Sequence, residues 1–295
     1  MKSLIKTFSV SQLKPEEAYH LSYPLNPGFY GELASKLSPL PLIVVNKENQ
    51  VLFGIDYFHY LKENEIDPVE AMQVDLNYKD ALILGFNLKE KYIGFNLYEK
   101  LVFIKKVLPA IQDVGEVYRR TSLDIGINPE LKKKIDMLLS EEFARLLIKE
   151  SVVLKTALKL CDFVLQDREV LITLFRTVSF TSSHQQKILE MVEEVLFRDK
   201  CLLSSIFDKL MILEMVEADK TQKNIIDALF RYRYPVYMEA EEKWQEQIKS
   251  LRIPSNMRVT HYQFFEKQGI DLTVQVKDIE ELKLFLASAA SRDSH

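Results

Sequence analysis

The amino-acid sequence predicts an α+β protein in three consecutive parts, and three observations carry that prediction. Short β-branched runs alternate with amphipathic stretches in residues 1–96. Apolar residues then recur at helical spacing through residues 97–252, and residues 253–295 return to two strand-like runs and one helical stretch. We therefore expect an N-terminal α+β domain (1–96), a central all-helical domain (97–252) and a small C-terminal ββα unit with a frayed tail (253–295).

The N-terminal domain is predicted from a hairpin followed by alternating helices and strands. The runs PLPLIVVN (39–46) and VLFGI (51–55), joined by turn residues, indicate two antiparallel strands. After them, YFHYLKENEI indicates a helix, VEAMQVDL a strand and NYKDALILGFNL a second helix. Gly54 closes the strand VLF, where glycine can take a positive φ and open a helix N-terminus toward an anion.

Helix-capping residues and apolar stripes predict six to eight helices in residues 97–250. Asn128, which precedes Pro129, and Ser140, which precedes two glutamates, are typical N-cap residues. In the C-terminal unit, MRVTHYQFF and GIDLTVQVK are predicted strands, and a helix is expected to open at Asp278. A two-stranded sheet is marginal alone, so an exposed strand edge there favours pairing with a second copy, as a homodimer.

Composition and charge exclude several classes of protein. Of the 295 residues 47% are hydrophobic, which is enough for a substantial core. The net charge of −4 gives no overall positive field for nucleic acid or membranes, although it does not exclude a local basic face. Two cysteines without a paired motif indicate neither a zinc site nor a disulfide framework. With no apolar run long enough for a membrane span or signal peptide, we expect a cytoplasmic protein without a membrane partner.

The order of these elements resembles the ParB-like nucleotide-binding domain, also called the ParB/sulfiredoxin fold. In that family a strand preceded by a proline ends in a glycine that opens a helix, and Pro41 in PLIVV and Gly54 in VLFGIDYF take those places here. The family's later asparagine-containing segment is matched by Asn87, Asn96 and Glu99. The string RYRYP (231–235) and the final ββα unit extend the resemblance over nearly the whole chain.

The resemblance implies a nucleotide site at Pro41, Gly54, Asn87 and Glu90, with CTP or ATP and Mg²⁺ as the ligands to test. However, the family's phosphate-clamping arginines are missing, since Tyr57 or Phe58 stands at one position and Glu90 lies near the other. A carboxylate near a triphosphate repels it by about a few kcal/mol at moderate dielectric. We therefore predict a degenerate nucleotide site and no resident cofactor.

Nucleic-acid binding is predicted from a few basic groups. Partition-type members of the family carry a helix-turn-helix reader of roughly forty residues, but only eighteen residues separate Pro109 from Asn128. The cations that remain as candidates for phosphate contacts are Arg119, Arg120, Lys132, Lys133, Arg231 and Arg233. Alternatively, Arg231 and Arg233 pair with nearby glutamates and fix a joint between helices, and the lysines only face solvent.

The sequence offers no nucleophile motif, Gly-rich phosphate loop or metal-ligand set. His59 has Asp56 three residues before it, but no further histidine or cysteine is placed to complete a metal shell. The leading hypothesis is therefore a ParB-domain protein that binds nucleic acid or serves chromosome or plasmid partition in a bacterium. The alternatives are a nucleotide hydrolase or nuclease of the same fold, and a protein-interaction scaffold that binds no nucleic acid.

Overall fold

The computed structural model describes residues 4–23, 43–217, 222–262, 264, 266 and 269–290. The chain divides into two compact units, Met1–Gln222 and Lys223–His295, which combine helices with two small sheets. The α+β class is therefore confirmed. The division differs from the three domains expected, because helices on either side of residue 96 pack together: the Phe86 and Phe103 rings lie 4.4 Å apart, centroid to centroid.

The sheet of the first unit has five strands among the described residues, in the order β1-β5-β3-β4-β2. The predicted hairpin is confirmed where β3 and β4 pair antiparallel, whereas the first residues of its predicted first strand, including Pro41, lie outside the described residues. No strand was expected at the N-terminus, yet β1 pairs antiparallel with β5. The strands are β1 (Leu4–Phe8), β2 (Lys14–Pro15), β3 (Val44–Val45), β4 (Gln50–Phe53) and β5 (Val69–Gln73).

Fourteen α-helices occur in the described residues, eleven of them between residues 97 and 250. This exceeds the six to eight expected, because several helices are only six to eight residues long and the apolar stripes run across the breaks. The helices are α1 (Ile55–Glu63), α2 (Tyr78–Tyr92), α3 (Leu97–Val107), α4 (Val114–Arg120), α5 (Pro129–Leu138), α6 (Glu141–Ile148), α7 (Leu154–Leu160), α8 (Leu165–Thr177), α9 (Ser182–Asp199), α10 (Leu203–Lys209), α11 (Ile212–Glu217), α12 (Gln222–Arg233), α13 (Pro235–Ser250) and α14 (Ile279–Ala290).

Helices α1 and α2 cover opposite faces of the five-stranded sheet. Neighbouring residues of a strand point to opposite faces, so Val45 packs with Phe58 of α1 while Val44 packs with Ala81 of α2. The loop that joins β4 to α1 therefore connects the sheet to the helix on one of its faces. This loop contains Gly54.

The predicted caps are only partly realised. Asn128 accepts the Leu131 N–H at 2.8 Å, with Pro129 in the first turn, as expected. Ser140 also stands at an N-cap position, but its hydroxyl accepts no cap bond and is buried without a hydrogen-bond partner among the described residues. A buried polar side chain also joins several segments of the helical region. Gln185 makes side-chain hydrogen bonds to Ser151, Val153, Thr156 and Phe180.

The second unit contains the predicted ββα arrangement. Strands β6 (Met257–His261) and β7 (Ile270–Val274) pair antiparallel, and Asp278 accepts the Glu281 N–H at 2.9 Å as α14 begins. Several apolar side chains of β7 and α14 face solvent: Ile270, Leu272, Ile279, Leu282, Leu284 and Leu286. The described residues of the ββα arrangement thus leave much of their apolar surface exposed.

Candidate functional site

Gly54 stands where strand β4 turns into helix α1. Its φ of 87° and ψ of 27° place it in the left-handed region, and it is the N-cap residue of α1. A residue with a side chain adopts this conformation at a cost of about 1–2 kcal/mol, which explains the glycine. The geometry matches the strand–glycine–helix junction that the sequence predicted.

A small pocket opens at this junction. Its described walls come from residues 19–22, residues 53–56 and Lys89 of α2. The enclosed volume of about 20 Å³ has room for roughly one water molecule. Drug-sized ligands occupy clefts of roughly 300–1,000 Å³. As lined by the described residues, the pocket is therefore too small for a nucleoside triphosphate.

A buried carboxylate occupies the helix end of this pocket. Asp56 is 2% exposed, and its Oδ1 atom lies 3.7 Å from His20 Nε2, too far for a hydrogen bond. Neither atom has a hydrogen-bond partner among the described residues. Burial would raise the pKa of Asp56, but the interactions with His20 and Ser22 and the charge of Lys89 together lower it below its ordinary value. The first turn of α1 thus already carries a buried carboxylate that belongs to the protein.

The cation of the pocket also has its own partner. Lys89 Nζ lies 3.1 Å from Glu99 Oε1, and both residues are buried. Glu99 in turn accepts the backbone N–H groups of Tyr23 and Asn96, at 2.8 and 3.1 Å. The Asn96 amide donates back to the Tyr23 carbonyl, so this network ties the segment that ends at residue 23 to the start of α3. The charge of Lys89 is therefore balanced within the fold.

The predicted nucleotide-site residues are not gathered at one place in the described structure. Gly54 lines the pocket, and Pro41 lies outside the described residues. The exposed Asn87 donates its side-chain amide to the Arg120 carbonyl at 2.9 Å, and Glu90 does not line the pocket. Sequence reasoning passed over Lys89, although its spacing from Leu82 and Phe86 follows the buried stripe of α2.

Three of the six predicted nucleic-acid-binding cations have carboxylate partners. Arg119 pairs with Asp113, and Arg231 pairs with Glu242, as the alternative prediction for that residue proposed. Arg120 contacts both Asp80 and Glu116, while Arg233 lies over the Tyr234 ring. Lys132 and Lys133 differ, because they are exposed and no ion pair of the described residues includes them.

Two further features bear on chemistry. Within the described residues, no group of three or more His, Cys, Asp or Glu side chains could hold a metal ion, and the His59 ring packs edge-on against Phe58. None of the helices in the described part of the chain has the length and hydrophobicity that crossing a membrane requires.

Comparisons with known proteins give structural neighbours only. No protein-family model and no curated protein matches the sequence. The solved structure of a pNOB8-like ParB N-domain is similar, with 13% identity and a TM-score of 0.44 over 76% of this chain and 94% of that one. The C2221 form of a Pnob8-like ParB-N domain gives 14% identity and a TM-score of 0.37 over 79% and 98%. Both neighbours are ParB N-domains, but similarity at this level supports no statement about ligand or partner.

Proposed function

We propose that this protein is a non-catalytic, nucleic-acid-associated or partition-related binding protein whose nucleotide site is degenerate. The observation that supports the degenerate site is the small size of the pocket at Gly54, together with the charged side chains that already line it. Its volume suits about one water molecule, Asp56 is buried in the first turn of α1 and Glu99 balances Lys89. A triphosphate would have to displace or neutralise a buried carboxylate before it could use the N–H groups of α1.

The basic side chains of three neighbouring helices support the association with nucleic acid. Helices α5, α6 and α7 pack together, and residues 129–160 carry seven basic and five acidic residues in a chain whose net charge is negative. Among the described residues, the exposed cations of these helices without an ion-pair partner are Lys132, Lys133, Arg145, Lys149 and Lys155. Lysines at such spacing suit contacts to phosphates and carry no sequence readout.

Binding of DNA labelled with a fluorophore, followed by anisotropy at two salt concentrations, tests the nucleic-acid proposal. Lys132→Glu/Lys133→Glu should weaken binding about tenfold at low salt. It should also reduce the dependence of binding on salt, since each lost phosphate contact removes about 0.9 from the salt slope. The matched control is Lys243→Glu/Lys249→Glu on α13, which makes the same charge change elsewhere and should bind normally. If the wild type does not bind DNA even at low salt, the scaffold alternative replaces this proposal.

Melting with CTP, ATP and Mg²⁺ tests the degenerate nucleotide site. A ligand at a hundred times its dissociation constant adds about 2.7 kcal/mol, which in a unit of this size raises the melting temperature by roughly 5–10 °C. We expect melting curves that do not change. A clear rise would favour the nucleotide hydrolase or nuclease alternative, for which the buried cation of Lys89 beside Gly54 is the specific supporting feature.

We also propose that two copies associate through strand β7. If two β7 strands pair antiparallel about Leu272, each Ile270 faces a Val274 of the other copy and Asp271 faces Thr273, so no like charges oppose each other. Ile270 and Leu272 are 58% and 53% exposed, whereas most of β6 is half-buried. Such pairing would give an isologous, two-fold interface.

Light scattering after size-exclusion chromatography tests the dimer. We expect a dimer for the wild type and a monomer for Leu272→Lys, which places two like charges opposite each other at the two-fold axis. Leu251→Lys, at an equally exposed position outside the ββα arrangement, should stay dimeric. A wild-type protein that remains monomeric at high concentration would rule out this assembly.

A further inference from the structure

A second and larger cavity lies beside the C-terminal half of α1, away from the Gly54 junction. Its volume is about 460 Å³, within the range of roughly 300–1,000 Å³ typical of small-molecule sites. Its described walls belong to α1, to the turn that follows it and to residues 10–15. No residue of the Gly54 pocket lines it.

The floor of this cavity is apolar. Val10, Leu13, Phe58 and Leu61 line it, and all four are buried side chains that belong to one hydrophobic cluster of the first unit. Ile66, which is 41% exposed, stands at the rim. Apolar floor and open rim together form a concave surface that favours an apolar ligand.

Hydrogen bonds fix the two walls of the cavity relative to each other. Asp67 accepts the Val10 N–H at 2.8 Å and the Ser9 hydroxyl at 3.0 Å, which ties the turn after α1 to the start of the opposite wall. At the other end of that wall, the Lys14 N–H donates to the Asn49 carbonyl and β2 pairs with β4. The cavity is therefore part of the packed structure and does not need a ligand to form it.

The mouth carries charges of both signs. Lys62 and Glu65 both line the cavity, and the Asp67 carboxylate is already engaged with Ser9 and Val10. A charged ligand would therefore meet one like charge and leave water for an apolar floor, which is unfavourable for either sign. The His59 imidazole also lines the wall, and the described residues provide no hydrogen-bond partner for it.

We propose that this cavity binds an uncharged, largely apolar small molecule, with the His59 ring as the hydrogen-bonding group. The juxtaposition that carries the proposal is a preformed cavity with a buried apolar floor and a mouth that carries charges of both signs. Nothing in it depends on the nucleotide site or on nucleic-acid binding.

Two matched dyes test the cavity on the full-length protein. N-phenyl-1-naphthylamine is uncharged, and 1-anilinonaphthalene-8-sulfonate differs from it by one sulfonate. We expect saturable fluorescence enhancement with the uncharged dye, weaker binding of the sulfonate, and displacement of the dye by 1-decanol before decanoate or decylamine. Tighter binding of the sulfonate would overturn the charge argument, and a lack of saturable binding would overturn the site.

Variants place the dye in the cavity or elsewhere. Ile66→Trp should weaken binding of the uncharged dye about tenfold or more, because the indole would occupy the mouth. Ser11→Trp, at an exposed position on the opposite rim, provides a second block if the first variant is poorly folded. Val164→Trp, at the exposed N-cap position of α8, is the control. If both rim variants bind the dye as the control does, the dye binds another surface and the proposal is wrong.

Discussion

Removing Lys89 should destabilise the first unit strongly, because its partner would stay behind as a buried charge. In Lys89→Met the side chain keeps its length and loses its ammonium group, while Glu99 remains 6% exposed. Loss of one partner of a buried ion pair costs about 3–5 kcal/mol. Glu99 keeps the two N–H groups of Tyr23 and Asn96, so we expect the lower end, about 3 kcal/mol.

That loss corresponds to a large shift in melting temperature. For a unit of this size, each kcal/mol lowers the midpoint by about 2–4 °C, so Lys89→Met should melt about 6–12 °C below the wild type. The measurement is far-ultraviolet circular dichroism, because the single tryptophan, Trp244, belongs to the second unit.

Two further variants separate the ion pair from a general packing effect. Lys91→Met, on the exposed side of the same helix, should change the free energy of unfolding by no more than about 0.5 kcal/mol. Adding Glu99→Gln to Lys89→Met should recover about half of the loss, because a neutral amide removes the buried charge and still accepts one N–H. The reasoning is refuted if Lys89→Met melts with the wild type, or if the double variant is less stable than Lys89→Met alone.

Two other predictions concern acid stability and helix capping. The folded-state pKa of Asp56 is lowered, so its carboxylate stabilises the fold above the unfolded pKa of about 3.9, and this stability is lost as the pH falls below that value. The melting temperature of Asp56→Asn should therefore depend less on pH below about 4 than that of the wild type. An equal dependence would contradict this. Asn128→Ala should lower the free energy of unfolding in urea by about 1 kcal/mol, because the cap of α5 is lost. Ser140→Ala should not lower it, because that hydroxyl makes no hydrogen bond among the described residues. Equal losses in both variants would show that cap geometry does not decide the outcome.

Local features of the fold were predictable where local sequence decides them. The β3–β4 hairpin, the cap at Asn128 and the opening of α14 at Asp278 depend on neighbouring residues, and all were predicted correctly. Strand β1 was not expected, because its pairing with β5 joins residues more than sixty positions apart. Pairings of that kind depend on the whole sheet and leave little trace in a short window of sequence.

The candidate site was predictable only in part, for a related reason. Gly54 could be identified because the turn from strand to helix requires a positive φ at this single position. The polar cluster around it combines His20, Asp56, Lys89 and Glu99 from four separate segments, and no periodicity links them. Lys89 alone carried a usable signal, since a charged residue on an apolar helical stripe requires a buried partner.

The four bonds of Gln185 limit what evolution can place at that position in the helical block. Its carbonyl oxygen receives Val153 N–H and the Thr156 hydroxyl, while its amino group serves the Ser151 and Phe180 carbonyls. A glutamate would lack the donors, a methionine would lack both functions, and an asparagine would be too short. Related chains that keep these helices should therefore retain glutamine here even where every neighbouring surface position has drifted.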